Sequence, residues 1–286
     1  MMHMSRTKRI GICGLAVAAA LVLAAGARAD ADSATHYYLA LGDSLAASAQ
    51  PTGDFTHGYA EQLHSMLASD DPKLELKKFG CGGESSVSMR FGSQLPSVVL
   101  SCGSPHFYKN VLFAKGTQLA EAESFLEAHK GKVALITIDI GANDLQRLDA
   151  QGDVALCLFE PAGCASQQAR LVENLDVIIE VLRAAAPDVP IVGMTYYNVF
   201  SKLWYDDPLT ALVVSGRVAS VNAAIASTYE AHGVPVADVA GAFENGVFPN
   251  SADNVCKWTW YCLVGDVHLN TAGYGVVAKE FLAAIP

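Results

Sequence analysis

The chain has 286 residues, of which 51% are hydrophobic and 17% charged, and its formal net charge is −10. An acidic surface of this kind repels nucleic acid and anionic lipid head groups, so the composition argues against both as partners. No internal repeat, low-complexity tract or Pro/Ser-rich linker divides the sequence, and we therefore expect one domain over residues 30–286.

Residues 1–29 are typical of a secretory signal peptide that is removed. A basic start precedes an apolar run over residues 10–27, and residues 27–29 read Ala-Arg-Ala, which fits the small-x-small cleavage rule. The alternative is an uncleaved anchor, because the run is close to the minimum length of a membrane span. Its many Ala and Gly residues favour cleavage, which predicts a secreted protein starting at Asp30. Four of the 19 basic residues and none of the 29 acidic ones precede residue 30, so the mature net charge is −14.

Six cysteines remain after the signal peptide, an even number that predicts three disulfides in an exported protein. Proximity in the sequence favours three pairs: Cys81 with Cys102, Cys157 with Cys164, and Cys256 with Cys262. Zinc is the alternative use of these residues. No pair has the spacing of a zinc knuckle and no His-x(3–5)-His pattern follows, so we expect no metal.

Strand and helix patterns alternate along the mature chain. An apolar run at residues 37–41 stops at Gly42, and residues 133–140 carry the strongest strand pattern. Weaker strands are predicted at residues 74–79, 191–195 and 234–239. Helices are predicted at residues 55–69, 116–129, 169–186, 209–232 and 271–285. This alternation predicts a parallel sheet of about five strands with helices on both faces.

Two stretches lack a clear period. Residues 145–168 read as an insertion that forms a lid or rim, and residues 243–262 read as an irregular, aromatic segment. No segment after the signal peptide reads as a membrane span, so we expect none in the mature protein.

Chemically useful residues follow three of the predicted strands. Ser44 follows the first strand, Gly83 the second and Asn143 the strand at residues 133–140. The carboxyl ends of parallel strands share one edge of a sheet, so these residues should converge there. Each also has a purely structural explanation, namely a helix cap, a glycine turn and an Asx turn. The glycine cluster at residues 80–83, here called the glycine loop, does not fit the dinucleotide motif Gly-x-Gly-x-x-Gly, because Ser85 stands at the last glycine of that motif.

The motifs together resemble the GDSL, or SGNH, hydrolase family. Residues 42–45 read Gly-Asp-Ser-Leu, residues 141–144 read Gly-Ala-Asn-Asp and residues 266–268 read Asp-Val-His, in the family's order across nearly the whole mature chain. The resemblance implies an α/β, three-layer αβα, flavodoxin-like fold and hydrolysis of carboxylic esters without a metal or organic cofactor. With its cysteines, the chain is most similar to exported bacterial lipases and esterases of this family.

The resemblance also assigns roles to single residues. Ser44 matches the nucleophile, and His268 matches the general base that takes its proton. The main-chain N–H groups of Ser44 and Gly83 and the side-chain amide of Asn143 match the oxyanion hole, which stabilises the tetrahedral intermediate.

The last motif departs from the family's spacing. The family has Asp-x-x-His, whereas here Asp266 lies two residues before His268 and Gly265 stands at the usual position. Either Asp266 or a main-chain carbonyl near Gly265 orients the imidazole. A carboxylate would also stabilise the imidazolium, which favours Asp266. Asp43 and Asp144 are expected to hold their loops by accepting main-chain N–H bonds.

Two classes of function are consistent with these residues. The first is a secreted, monomeric esterase or lipase acting on a small-molecule or lipid ester, with removal of acetyl groups from a polysaccharide as an alternative at the same site. The second is a non-catalytic carbohydrate-binding module on the same fold, which would not need the four motif residues together. Apolar residues in the insertion and after the strand at residues 191–195 suggest an acyl-binding rim: Leu156, Leu158, Phe159, Phe200, Leu203 and Trp204.

Overall fold

The computed structural model describes residues 35–92, 113–148 and 154–286. Its strands are β1 (His36–Gly42), β2 (Leu74–Lys78), β3 (Val133–Asp139), β4 (Gln146–Leu148), β5 (Val154–Leu156), β6 (Ile191–Met194) and β7 (Val236–Ala237). Five of these strands form one parallel sheet in the order β2-β1-β3-β6-β7, while β4 and β5 pair in an antiparallel manner.

Helices flank this sheet. The described α-helices are α1 (Tyr59–Leu67), α2 (Ser86–Phe91), α3 (Gln118–Ala128), α4 (Ala165–Ala185), α5 (Pro208–Ala231), α6 (Val239–Ala242), α7 (Asn250–Trp258), α8 (Tyr261–Val264) and α9 (Thr271–Ala284). Helix α9 packs against α1 and β7, whereas α4 packs against α2, α3 and α5. The predicted three-layer αβα fold is confirmed.

The strand order places a binding crevice between β1 and β3. The chain runs from β1 outward to β2 and then returns past β1 to β3, so the direction of progress through the sheet reverses there. In doubly wound sheets, ligands bind outside the carboxyl ends of the strands at such a switch point. Ser44 follows β1 and Asn143 follows β3, so the two flank this crevice.

The two central strands are covered on both faces, as their continuous apolar sequences predict. Tyr38, Leu39, Ala40 and Leu41 of β1 are all fully buried. The last five residues of β3 are buried as well, including its terminal Asp139. A sheet buried in this way holds the loops at its carboxyl edge on a rigid base.

Helix α5 corrects the expectation that no segment after the signal peptide resembles a membrane span. It is the one helix in the described part of the chain that is long and apolar enough, by length and composition, to cross a membrane. A helix packed on a soluble core meets the same criteria, and α5 packs against α4 and β6. Length and composition alone therefore do not distinguish the two environments.

Four of the described α-helices were not predicted from the sequence, namely α2, α6, α7 and α8. Helix α2 directly follows the glycine cluster, and α7 lies within the segment predicted to be irregular. Helix α7 buries Ser251, Ala252 and Val255 on one face. Ser251 and Ala252 are not large apolar residues, so the sequence does not mark them as buried; their burial results from packing of α7 against the 3₁₀ helix Val199–Tyr205 and α9.

Two of the three predicted disulfides are present, Cys157–Cys164 and Cys256–Cys262. The predicted pair of Cys81 with Cys102 involves a residue outside the described ranges, so a third disulfide stays a prediction. The chain divides into Met1–Thr35 and a compact unit, His36–Pro286. The predicted signal peptide also lies outside the described residues.

Candidate active site

Three of the predicted site residues line one cavity. Ser44, Asn143 and His268 all contribute to the wall of a cavity of about 200 Å³ at the carboxyl edge of the sheet. Ser44 lies in the turn after β1, Asn143 in the 3₁₀ helix Ala142–Leu145 after β3, and His268 shortly before α9. The parallel topology therefore brings together residues from distant parts of the chain.

The imidazole of His268 is paired with a carboxylate. Asp266 Oδ1 lies 2.7 Å from His268 Nδ1 and also accepts the main-chain N–H of His268 at 2.9 Å. Partial burial would raise the pKa of Asp266, but the hydrogen bonds from His268 outweigh it and hold that pKa below its ordinary value. With a hydrogen on Nδ1, Nε2 is the ring nitrogen that can accept a proton. Of the two alternatives from the sequence, the carboxylate is the partner found at Nδ1.

A disulfide-closed segment supports the main chain of His268. The main-chain N–H of Trp260 donates to the carbonyl of His268 at 2.9 Å. Thr259 and Leu269 form an antiparallel bridge on the same segment. The disulfide Cys256–Cys262 closes the loop that carries Trp260 and Thr259. The position of the imidazole therefore depends on this covalently closed loop.

The amide of Asn143 is oriented by two hydrogen bonds. Its Nδ2 donates to the main-chain carbonyl of Glu84 at 2.9 Å, and its Oδ1 accepts from Gln146 Nε2 at 3.0 Å. An amide nitrogen carries two hydrogens, so one N–H of Asn143 remains for a ligand. Gly83 has a φ of +76°, which glycine adopts easily, and it lies outside the lining of the cavity.

Much of the cavity wall is apolar. Helix α5 contributes Val218, Val221 and Ile225, whose spacing places them on one helix face. The remaining apolar wall comes from the 3₁₀ helices and β5, with Leu145, Leu156, Leu158, Val199 and Phe200. This surface would hold a hydrocarbon group next to Ser44.

Of the six residues predicted to form an acyl-binding rim, three line the cavity and three do not. Leu156, Leu158 and Phe200 line the cavity, as expected. Phe159 does not line it but packs edge-to-face against Phe200, with the ring centroids 4.9 Å apart. Leu203 and Trp204 do not line it either, because they lie further along the 3₁₀ helix, where the Trp204 ring stacks on Phe248.

A comparison with protein-family models matches residues 40–276 to the GDSL-like Lipase/Acylhydrolase family. The chain belongs to this family. It is therefore a carboxylic ester hydrolase, as the motifs predict. A comparison with curated protein sequences gives no significant match.

Solved structures of GDSL enzymes share the fold. Phospholipase A1 from Streptomyces albidoflavus NA297 is 17% identical with a TM-score of 0.53, covering 88% of this chain and 100% of that one. An extracellular lipase from Streptomyces rimosus is 15% identical with a TM-score of 0.52, covering 87% and 100%. An acetylxylan esterase from Geobacillus stearothermophilus is 14% identical with a TM-score of 0.51, covering 87% and 93%. At these identities the similarity concerns the fold alone.

In this GDSL hydrolase, two buried carboxyl groups lie behind Ser44. Asp43 accepts the main-chain N–H of Leu45 at 2.9 Å and the hydroxyl of Tyr196 at 3.0 Å. The main-chain N–H of Asp43 donates to the main-chain carbonyl of Asp139 at 3.0 Å, and the Asp139 carboxylate accepts the hydroxyl of Tyr59 at 2.9 Å. Burial raises the pKa of both carboxyls, and that of Asp139 well above its ordinary value. Asp139 was not predicted as part of the site, although a carboxylate within an apolar strand is a visible signal in the sequence.

Asp144 hydrogen-bonds to Ser86, which follows the glycine loop. Its carboxylate accepts the main-chain N–H of Ser86 at 2.8 Å and the Ser86 hydroxyl at 2.5 Å. Burial raises the pKa of Asp144 to about 6, in spite of these bonds. The expectation that Asp43 and Asp144 fix their loops through main-chain N–H groups is therefore confirmed.

Other histidines lie away from the cavity wall. Each hydrogen-bonds a carboxylate or a main-chain carbonyl: His36, His57, His64, His129 and His232. Within the described ranges, no three His, Cys, Asp or Glu side chains come together in a way that could hold a metal ion.

Proposed function

We propose that this GDSL hydrolase is a secreted esterase or lipase that works through an acyl-enzyme on Ser44, with His268 as general base. The observation that carries the proposal is the shared cavity, where Ser44, Asn143 and His268 meet beside an apolar wall. A carbohydrate-binding module would have no use for this combination of hydroxyl, imidazole and amide.

The proposed reaction has two steps of acyl transfer. Ser44 Oγ attacks the ester carbonyl carbon while His268 Nε2 takes the hydroxyl proton, and Asp266 stabilises the imidazolium that forms. The carbonyl oxygen becomes an oxyanion, which accepts hydrogen bonds from the N–H groups of Ser44 and Gly83 and from Asn143 Nδ2. The alcohol leaves with the proton from His268. Water, activated by the same imidazole, then releases the acid and regenerates Ser44.

The cavity favours an acyl group longer than acetyl. An apolar cavity of roughly 150 Å³ holds benzene, so about 200 Å³ accommodates a hydrocarbon group of six or more carbons. Burial of each methylene contributes about 0.8 kcal/mol, or about fourfold in kcat/KM. An acetyl group would leave most of the apolar wall unfilled. We therefore place removal of acetyl groups from a polysaccharide second, as an alternative use of the same residues.

Secretion of a monomer is part of the same proposal. The apolar N-terminal segment with its Ala-Arg-Ala site supports export, and the two disulfides fit an oxidising compartment. N-terminal sequencing of the secreted protein tests this part. We expect a start at Asp30 or a neighbouring residue, and an intact Met1 in the membrane fraction would overturn it.

A serine-directed fluorophosphonate label tests the nucleophile. The wild-type protein should be labelled at Ser44 and should hydrolyse p-nitrophenyl esters, and Ser44→Ala should lose both properties. Ser65→Ala is the matched control, because Ser65 is an exposed serine on α1. Folded wild-type protein that takes no label and hydrolyses no ester would support the binding module instead.

A series of p-nitrophenyl esters of increasing chain length, measured beside acetylated xylan, tests the substrate class. We expect kcat/KM to rise by about fourfold per methylene until the cavity is filled. Val221→Phe fills part of the cavity and should shift the optimum to shorter chains, with the ratio of long to short substrates as an internal control. A preference for acetylated xylan over every long-chain ester would contradict the acyl-chain proposal.

A further inference from the structure

Gln118 is a fully buried residue that belongs to none of the GDSL motifs. It is the first residue of α3, whose N-terminus is capped by Thr117. Its Oε1 accepts the main-chain N–H of Gly42 at 2.7 Å, and its Nε2 donates to the Gly42 carbonyl at 2.9 Å. The amide thus binds both main-chain groups of the residue two positions before Ser44.

The same side chain also reaches the glycine loop. Gln118 Nε2 donates to Glu84 Oε2 at 3.1 Å, and Glu84 directly follows Gly83. Glu84 is itself buried, and its other carboxyl oxygen accepts the hydroxyl of Ser88 at 2.5 Å. One glutamine therefore connects the end of the nucleophile strand with the loop that carries the second oxyanion donor.

Glu84 extends this connection to the third donor. Its main-chain carbonyl accepts Asn143 Nδ2 at 2.9 Å, so the carboxyl group and the carbonyl of one residue face two different motifs. Neither Gln118 nor Glu84 lines the cavity. Both can therefore influence the reaction only through the groups that they hold.

The main chain at Gly42, where this network begins, has little space around it. Gly42 has a φ of +136°, and a Cβ built on it would lie 2.0 Å from Asp139 Oδ1. Its carbonyl also accepts the main-chain N–H of Cys81 at 3.1 Å, which ties the glycine loop to the strand a second time. A change in the Gln118 amide would be transmitted to both loops rather than absorbed by one of them.

We propose that Gln118 is a positioning residue for the oxyanion hole, and that it acts through Gly42 and Glu84 to set the relative positions of Ser44, Gly83 and Asn143. This inference rests on the proposed function of the same site. Oxyanion donors act only when they lie within hydrogen-bond distance of the developing charge, and a misplacement of roughly 1 Å can cost about 10²-fold in rate.

Steady-state kinetics of Gln118→Met and Gln118→Asn test the proposal. Methionine keeps the volume without the hydrogen bonds, and asparagine is too short to reach both partners. We expect kcat per labelled active site to fall by about 10- to 100-fold with little change in KM. The inhibition constant of an alkyl trifluoromethyl ketone, which forms a tetrahedral adduct with the serine, should rise by the factor by which kcat/KM falls.

Glu84 supplies the conservative rescue. Glu84→Gln can still accept from Gln118 and can donate to Ser88, so it should retain kcat within about threefold, whereas Glu84→Leu should resemble Gln118→Met. Thr137→Val is the stability control, because it breaks the buried Tyr38–Thr137 hydrogen bond of 2.8 Å away from all motif loops. It should lower the melting temperature and leave kcat per site unchanged.

The outcomes separate this inference from the proposed function. Absence of wild-type hydrolysis, or hydrolysis that survives Ser44→Ala, means that the proposed function fails. If Ser44 is required but the Gln118 variants keep normal kcat per site and lose only stability, as Thr137→Val does, the positioning role is refuted. A rise in KM at constant kcat would refute it as well. If the Gln118 variants do not fold, the comparison of Glu84→Gln with Glu84→Leu decides by the same readouts.

Discussion

Replacement of Glu84 by Gln should change how the stability of the protein depends on pH. The carboxyl group of Glu84 is buried, which raises its pKa from 4.5 to about 7. Hydrogen bonds from Ser88 and Gln118 oppose this rise, while the negative charges of Asp43 and Asp144 add to it. The folded protein therefore favours the protonated carboxyl, whereas the unfolded chain ionises near the ordinary value.

The direction and size of the effect follow from this difference. Protonated Glu84 stabilises the fold fully below the ordinary pKa, and the stabilisation is lost as the pH rises through the folded value. At roughly 1.4 kcal/mol per pKa unit, the shift corresponds to about 3 kcal/mol. The free energy of unfolding of the wild type, minus that of Glu84→Gln, should fall by about this amount between about pH 4 and about pH 8.

Urea denaturation of both proteins at a series of pH values measures this difference. A pH-independent effect of the substitution shifts the wild-type-minus-variant difference equally at every pH. The test is therefore how this difference in the free energy of unfolding changes with pH. Glu123→Gln, at an exposed position of α3, controls for the change in net charge. A wild-type-minus-variant difference that stays constant over this range, or that grows with pH, would refute the reasoning.

Three further results are expected. Asp266→Ala should lower kcat by about 10³- to 10⁴-fold, because the imidazole loses its partner, and near-normal turnover would assign that role to a main-chain carbonyl. Gly42→Ala should lower the free energy of unfolding by about 2 kcal/mol or more beyond the loss caused by Gly131→Ala. Gly131 also has a positive φ, but the space at its Cβ position is open. Equal losses in urea denaturation would contradict a clash between the new Cβ and Asp139. Replacing Cys256 and Cys262 by Ser should lower kcat per labelled site, because their loop holds the main chain of His268; a lower melting temperature with unchanged kcat would indicate a purely stabilising disulfide.

Local patterns were sufficient for most of the sheet. The strand predicted at residues 133–140 is Val133–Asp139 in the structure, and the helix predicted at residues 209–232 is Pro208–Ala231. Long apolar runs and clear helical periods indicate burial directly, so such strands and helices can be predicted from the sequence before the fold is known. Helix α7 was missed because its buried face contains Ser251 and Ala252, whose burial depends on which surface lies opposite.

For the candidate site as well, the sequence predicted some features and left others open. Ser44, Asn143 and His268 were recognisable because each lies in a short motif after a strand or before a helix, and parallel topology requires the first two to share an edge of the sheet. The partner of the imidazole was left open by the sequence, since the spacing between Asp266 and His268 departs from the family. The conformation of the loop places the Asp266 carboxylate within hydrogen-bond distance of His268 Nδ1.

The amino-acid sequence by itself determined the alternation of strands and helices, the motif residues and two of the disulfide pairs, because all of these depend on short-range order. Only the tertiary structure decided that Gln118 binds Gly42, 76 positions away, and that the Asp139 carboxylate accepts the main-chain N–H of Ala46, two residues after Ser44. It also decided that Val218, Val221 and Ile225 of α5 line the same cavity as Ser44. Contacts of this kind depend on strand register and helix packing, where a shift of one residue would turn the same side chain to a different neighbour.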